Sequence, residues 1–460
     1  MNIIIAGCGK VGMNVAEHLS KEGHSITVVD TSQDTLDRAS NQLDVMCVKG
    51  NCAARGPLLE AGIHDADMVI AATSSDEINL LCCHCAKGFG VPYTVARVRS
   101  AEYSGDMEHM REDLGITLLV NPEQATALKI SQLLRFPGAA NIDTFARGRV
   151  EIVGFRVREG DFLADRSLLQ LAPKLGDLPL LICVVERGDE VFIPNGSSVL
   201  RAGDRLYLAG TPSGINQFFK LLGRQNHKIR SAFIIGGGRI TFYLVSALER
   251  LGISCKVVER KEDRCRELAE LFPHSLIIRG DGTDPELLSE ERMESSDAFI
   301  ALTDRDEDNL IISLYAHQAG VHKVIAKSNR QNYTAIARSA GVESVVSAKL
   351  TTANQIIRLV RAIRNTHGTG MTALYRIAEG RAEALEFTVT ADTRRLNTPL
   401  RELRLKSGVL LAVVVRGTEV IIPEGSTCLQ EGDSAVIIAT KDSGIVDLND
   451  IFADGIGLGG

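Results

Sequence analysis

At about 150 residues per domain, a chain of 460 residues has room for roughly three domains. Hydrophobic residues make up 45% and charged residues 24%, the composition of a folded globular chain. Aromatic residues are scarce at 5% with no Trp, and 51 basic residues face 58 acidic ones for a net charge of -7, which argues against a nucleic-acid binder built on basic excess or base stacking. The longest apolar stretches, 178–185 (broken by Pro179) and 409–415, fall far short of the ~20 residues of a membrane-spanning helix. The opening MNIIIAGCGK has neither a basic leader nor a cleavage site, and reads as cytoplasmic from the first residue.

In chain order, apolar runs at 3–6, 25–29, 45–48, 68–72, 94–97 and 117–120 predict six strands with helical patterns between them. Near-continuous apolar strands suit a parallel sheet covered on both faces, and Val11, Val15, Ala16 and Leu19 carry the 3.6-residue spacing of the first helix. The turn after the first strand reads Gly7-x-Gly9-x-x-Gly12, directly ahead of a helix. There Gly7 permits the tight turn, Gly9 lets a pyrophosphate approach the backbone, and Gly12 lets helix and strand pack closely. The helix N-terminus offers free N–H groups to phosphates, with Cys8 as a backbone spacer and Lys10 and Val11 at the helix start. Asp30 lies 18 residues beyond Gly12 at a strand end, placed to accept from a ribose diol and to repel a 2′-phosphate, which favours NAD(H) over NADP(H).

Thr73 and Ser74 follow the fourth strand at the carboxyl edge of the sheet, where they either touch a ligand or cap the helix beginning near Asp76. Arg97 ends the fifth strand and faces a phosphate, a carboxylate or an ion-pair partner. The ten Cys read as reduced thiols. A contiguous Cys82, Cys83, His84 and Cys85 on a helix splays its side chains around the axis, so it reads as thiols packing a helix face and no metal site is expected.

After Phe136-Pro137-Gly138 the pattern changes to short strands, including a hairpin in which 180–185 and 190–193 flank Arg187-Gly188-Asp189. A polar linker at 223–230 follows, and then the chain repeats. Gly7-Cys8-Gly9-Lys10-Val11 returns as Gly236-Gly237-Gly238-Arg239-Ile240, and Asp30 returns as Glu259, both 229 residues on. Asp76 to Leu80 matches Asp306 to Leu310 at 230, and Arg187-Gly188 and Gly203-Asp204 return at 229 as Arg416-Gly417 and Gly432-Asp433. One offset shared by so many blocks identifies a tandem duplication. The fold class is α/β: two tandem Rossmann-like doubly wound parallel sheets, each followed by a small α+β lobe, with lobes at 1–136, 137–226, 227–365 and 366–460 and a loose glycine-rich tail at 454–460. In the second copy Thr241 stands where Gly12 stands in the first, a side chain expected to crowd helix against strand, and Arg260 beside Glu259 tolerates an extra phosphate.

These blocks, GCGKVG with TVVD, DADMVIAATSSDEINLL, VARVRS, GDGTD with ELLSEE, DAFIALTDRDEDN, and the paired IPNGSSVLRAGD and IPEGSTCLQEGD, resemble the Trk potassium-uptake regulator family, which carries tandem regulator-of-potassium-conductance (RCK) units, and the resemblance runs end to end. It implies Rossmann lobes that bind NAD(H) or, at one or both sites, ATP or ADP. It also implies a homo-oligomeric ring, dimer or tetramer, held peripherally on the cytoplasmic face of the inner membrane beneath an integral-membrane potassium transporter. The implied contacts are Gly7, Cys8, Gly9, Lys10, Val11, Asp30, Thr73 and Arg97, and in the second copy Gly236, Gly237, Gly238, Arg239, Ile240 and Glu259. Asn51-Cys52-Ala53 lacks the fuller turn of Gly280-Asp281-Gly282-Thr283, a departure that shifts nucleotide preference between sites.

The leading reading is therefore a non-enzymatic gating subunit whose mobile joints lie near 136–144 and 365–370. An NAD-dependent oxidoreductase is the alternative, but it needs an acid or base near the nicotinamide, and His18, His24, His64 and His84 have no repeated counterparts. A nucleotide-dependent regulator of some other process rests on the same residues.

Overall fold

The computed structural model describes residues 1–103, 105–176, 178–223, 228–365 and 370–453. The core of the expected linker (224–227), most of the second joint (366–369) and the expected tail (454–460) lie outside them.

In the first copy, strands β1 (Asn2–Ala6), β2 (Ser25–Asp30), β3 (Met46–Lys49), β4 (Met68–Ala71), β5 (Tyr93–Arg97) and β6 (Leu118–Val120) form one sheet. Its order is β3-β2-β1-β4-β5-β6 and every pairing is parallel. This is the doubly wound arrangement, with the strand order reversing between β1 and β4. Each strand falls within about two residues of its expected span because both faces are covered: Ile3, Ile4, Ile5, Val28, Val69 and Ile70 are all at most 3% exposed. Helix Lys10–Lys21 turns Val11, Val15, Ala16 and Leu19 inward, as their spacing requires.

The first small lobe has β7 (Asn141–Phe145), β8 (Val150–Arg156), β9 (Arg166–Ser167), β10 (Leu180–Arg187), β11 (Glu190–Phe192), β12 (Val199–Leu200) and β13 (Arg205–Gly210). Five of these form an antiparallel sheet of order β11-β10-β13-β8-β7. The hairpin is tighter than the sequence suggests: Arg187 pairs with Glu190 across the ladder, leaving Gly188 and Asp189 as the turn, with Gly188 at φ +56°. Such positive φ is what glycine supplies in two-residue hairpins.

The second copy repeats both sheets. Strands β14 (Ser231–Ile235), β15 (Ser254–Glu259), β16 (Leu276–Arg279), β17 (Ala298–Ala301), β18 (Lys323–Lys327) and β19 (Ser344–Val346) take the order β16-β15-β14-β17-β18-β19. Strands β20 (Met371–Ile377), β21 (Ala382–Thr388), β22 (Val409–Arg416), β23 (Glu419–Ile421) and β24 (Ser434–Thr440) form the second antiparallel sheet.

The four lobes do not stand in chain order. The two Rossmann lobes form one compact unit, 1–131 with 230–359, and the two small lobes form another, 132–229 with 360–460. The boundaries fall inside helices Pro122–Arg135 and Ala348–Asn365, so each helix belongs to both units. In the Rossmann unit, Asn121 Nδ2 donates to Tyr243 Oη at 2.9 Å across the two copies. In the small-lobe unit, one core contains Phe145, Val150 and Ile152 together with Tyr375, Ala384 and Val413. Phe145 and Tyr375 have ring centroids 4.4 Å apart, and Tyr375 Oη donates to the Thr144 carbonyl at 2.7 Å. Arg149 donates to the carbonyl of Gly417 while Arg381 donates to that of Gly188, a reciprocal exchange between hairpin turns.

The repeated Arg-Gly and Gly-Asp blocks gain a physical reason here. Arg187 grips Asp204 through two bonds of 2.8 and 2.7 Å, and Arg416 grips Asp433 through two of 2.9 Å. Both carboxylates are at most 2% exposed, and bidentate geometry suits a buried pair.

Lys323 begins β18 with its ammonium buried and bonded to Ser344 Oγ at 2.9 Å. Burial pulls its pKa from 10.5 down to about 7. The unfolded chain keeps that proton to a higher pH than the folded one, so stability rises with pH between about 7 and 10.5 and levels off at its lower value below about 7. Thermal unfolding followed from about pH 6 to about pH 9 should show Lys323→Met more stable than the parent at the acid end and lacking the parent's rise.

Candidate functional site

The carboxyl edge of the first sheet opens into a cleft of about 600 Å³ beside the reversal in strand order. Gly7, Gly9, Lys10, Val11, Asp30, Thr73, Ser74 and Arg97 all line it, so these expected site residues are brought together. Cys8 and Gly12 stand behind this lining, buried in the lobe. Burial pushes the Cys8 thiol up to about 11, which suits a spacer and not a nucleophile.

The turn is fixed by clearances. Gly7 adopts φ +88°, and a Cβ there would lie 2.7 Å from the Thr73 backbone. At Gly12 a Cβ would meet the Gly7 carbonyl oxygen at 2.0 Å, whereas at Gly9 it would meet nothing within 4 Å. Gly9 thus presents open backbone toward the cleft at the N-terminal end of helix Lys10–Lys21. Asp30 accepts from the Cys8 N–H at 2.7 Å through Oδ2 and from the Ser32 N–H at 2.9 Å through Oδ1. It holds the turn while keeping a lone pair on each oxygen for a diol.

Two residues that sequence reasoning passed over organise the rest. Asn79, fully buried, accepts from the Thr73 N–H at 2.8 Å and the Thr73 hydroxyl at 2.7 Å, and donates to the Arg97 carbonyl at 2.9 Å. Asp76 accepts from the N–H groups of Arg99 and Ser100, each at 2.8 Å. Their signal was the recurrence of Asp-x-x-Asn: Asn309 repeats the clasp on Thr303 and Lys327, and Asp306 accepts from the Asn329 N–H at 2.9 Å. The helix cap is Ser75, whose hydroxyl accepts from the Ile78 N–H at 3.2 Å, while Thr73 and Ser74 line the cleft with the Thr73 hydroxyl held by Asn79.

Arg97 is largely buried, which lowers its pKa, and its guanidinium donates to the Thr73 carbonyl while its Nε has no partner. Arg99 donates through Nε to Glu123 Oε1 at 2.7 Å, leaving Glu123 Oε2 buried and unpartnered. Buried polar atoms without partners are uncommon in native structures. An open glycine cradle and a diol-competent carboxylate fit a dinucleotide: Gly9 and Lys10 would hold its phosphates and Asp30 a ribose. The cleft is not built by the first copy alone, because Asn329, Ala348 and Lys349 of the second copy also line it.

The second glycine turn keeps the framework and differs in detail. Gly236 has φ +95°, and the Gly237 N–H donates to Glu259 Oε2 at 2.7 Å. Gly238 caps the helix that begins with Arg239 and Ile240. Thr241 is fully buried, but the expected crowding is resolved as a hydrogen bond, its hydroxyl donating to the Gly236 carbonyl. Arg264 Nε also donates to the Gly237 carbonyl at 2.6 Å, and a Cβ on Gly237 would meet Leu268 at 2.6 Å. Gly238, the counterpart of Gly9, also has nothing within 4 Å of a Cβ, so this turn differs from the first by the added bonds of Thr241 and Arg264.

No group of His, Cys, Asp and Glu among the described residues is arranged to hold a metal ion. No helix among them is long and apolar enough to cross a membrane.

Gly12→Ala should destabilise the protein by about 2 kcal/mol or more, since the new methyl has no space. Asn79→Ala should cost about 3 kcal/mol by stranding the Thr73 N–H and the Arg97 carbonyl. Thermal unfolding of both variants against the parent checks these values.

Comparison with known proteins follows the same division. The TrkA-N domain model matches residues 3–122 and 232–348, and the TrkA-C domain model matches 152–223 and 384–447. The chain is 32% identical over 451 residues to a Trk system potassium uptake protein TrkA homolog of Methanosarcina mazei, covering 96% of this chain and 98% of that one. It is 31% identical to the Trk system potassium uptake protein TrkA of Halomonas elongata, with 99% of each chain covered. Among solved structures, the GsuK channel is similar at a TM-score of 0.64 and 20% identity over 96% of this chain and 77% of that one. The GsuK channel bound to NAD gives 0.62 at 20% identity, with the same coverage of 96% and 77%. Matched by family models across both copies and by relatives over nearly its whole length, the chain belongs to the TrkA family of Trk potassium-uptake proteins, with two TrkA-N and two TrkA-C domains.

Proposed function

We propose that this chain is a peripheral, cytoplasmic regulatory subunit that binds NAD(H) or an adenine nucleotide and gates a membrane potassium transporter, working as a homo-oligomeric ring. The observation that carries this reading is the position of the cleft at the heads of two helices. Pro122 and Glu123 line it at the start of helix Pro122–Arg135, and Ala348 and Lys349 line it at the start of helix Ala348–Asn365. Both helices begin in the Rossmann unit and end in residues of the small-lobe unit. A ligand between their N-termini thus touches two of the three segments through which the chain passes between the units.

Nucleotide bound there supplies negative charge for Lys10, Arg97 and Lys349, and it favours whichever helix arrangement brings those groups closest. A ligand shifts such an equilibrium only by its difference in affinity for the two states, and coupling of this kind is worth about 1–3 kcal/mol. The names of the relatives, Trk system potassium uptake proteins, support potassium transport as the regulated process. The NAD-bound GsuK channel supports the ligand class.

Potassium uptake in cells deleted for this protein tests the assignment. Uptake should fall on deletion, return with the parent chain and stay low with Asp30→Ala. Normal uptake in the deletion strain overturns the transport role, and full rescue by Asp30→Ala overturns the role of the first-copy cleft.

A further inference from the structure

Glu151 lies on β8, an interior strand of the first antiparallel sheet between β7 and β13, and is only 2% exposed. A carboxylate buried in this way needs a partner. Arg135, the last residue of helix Pro122–Arg135, supplies it: a guanidinium nitrogen donates to Glu151 Oε1 at 2.7 Å, and the guanidinium carbon stands 5.0 Å from the centroid of the Phe136 ring. The grip is by one oxygen, since Glu151 Oε2 is buried with no partner. The second copy meets the same position differently. Glu383 holds the place of Glu151 in the ladder, opposite Arg376 on β20 as Glu151 is opposite Thr144 on β7, and its ion pair at 3.6 Å is with that Arg376. Thr144 offers Glu151 no cation, so the first-copy carboxylate is paired from the helix and not from its own sheet.

We propose that Arg135 and Glu151 are the coupling pair of the first copy, the contact through which helix Pro122–Arg135 passes occupancy of the cleft to the small-lobe sheet. The inference rests on the reading of the cleft as a nucleotide site. Pro122 and Glu123 line that cleft at the head of the helix, and Arg135 is the last of its 14 residues. Each turn of an α-helix is hydrogen-bonded to the next, so a displacement at the head is carried along the axis to Arg135. The unused Glu151 Oε2 gives the pair two discrete arrangements: the single-oxygen grip described above, or the bidentate one that an aligned guanidinium and carboxylate form. β8 is bonded to β7 on one side and β13 on the other, and the Thr144 carbonyl on β7 accepts from Tyr375 of the second copy. A change at Glu151 is thereby felt in both copies of the small-lobe unit. The two residues are positioning residues, acting through the helix and touching no ligand.

The test is amide hydrogen exchange of the full chain with and without saturating NADH, beside the NADH affinity from calorimetry. In the parent, NADH should slow exchange at the start of helix Lys10–Lys21 and change it in β8 by about fivefold or more, the low end of allosteric coupling. The double variant Arg135→Gln with Glu151→Gln replaces both charges by amides, so it strands no buried charge. It should keep the parent affinity and the response at helix Lys10–Lys21 while losing the response in β8. Arg376→Gln with Glu383→Gln, the same exchange in the second copy, should keep both responses. A β8 response that persists in the Arg135 and Glu151 variant overturns the proposal. So does joint loss of affinity and of the β8 response, which marks the pair as structural only. A parent that responds at helix Lys10–Lys21 and not in β8 overturns it as well, whereas no response at either place overturns the nucleotide reading beneath it.

Discussion

A carboxylate at the end of the second strand bonds the backbone of the glycine turn in both copies, and the site's geometry depends on it. Asp30 accepts from the Cys8 N–H and Glu259 from the Gly237 N–H, each at 2.7 Å. That bond fixes a turn whose first glycine has positive φ and presses against the end of the fourth strand. The helix start, the open backbone at Gly9 and the depth of the cleft follow from the same closure. The carboxylate is already charged, so its bonds to backbone N–H groups are stronger than neutral ones.

On that common frame the copies have diverged where a ligand would be felt. Gly12 becomes Thr241, whose hydroxyl ties down the turn it packs against, and Arg264 bonds the next carbonyl. Arg97, with an unpartnered Nε, becomes Lys327, which lies 3.7 Å from Asp304. In the second copy the Gly236 and Gly237 carbonyls are thus bonded by side chains of the same copy. The two glycine turns of the Rossmann unit are therefore not identical.

The strands, the glycine turns and the duplication were legible because each is written in contiguous residues: apolar runs, a fixed glycine spacing and a constant offset. Asn79 and Asp76 were visible only as recurring letters, since their roles depend on bonds to the end of β5 and the residues just after it, 18 and more residues away. Thr241 was read as an obstruction because spacing shows volume and not the hydroxyl's reach to a carbonyl. The grouping of Rossmann lobe with Rossmann lobe was not legible, nor was the contribution of Asn329 and Lys349 to the first cleft. Both arise from contacts between segments more than 100 residues apart, Asn121 with Tyr243 among them, which no local pattern records.

The central claim is that a nucleotide site in the first copy is completed by the second. It is tested most directly by titrating NADH into the full chain and into Lys349→Glu, with heat of binding as the readout. The account predicts at least a tenfold loss of affinity, about 1.4 kcal/mol, with thermal stability unchanged. Equal affinity in the two chains would contradict it.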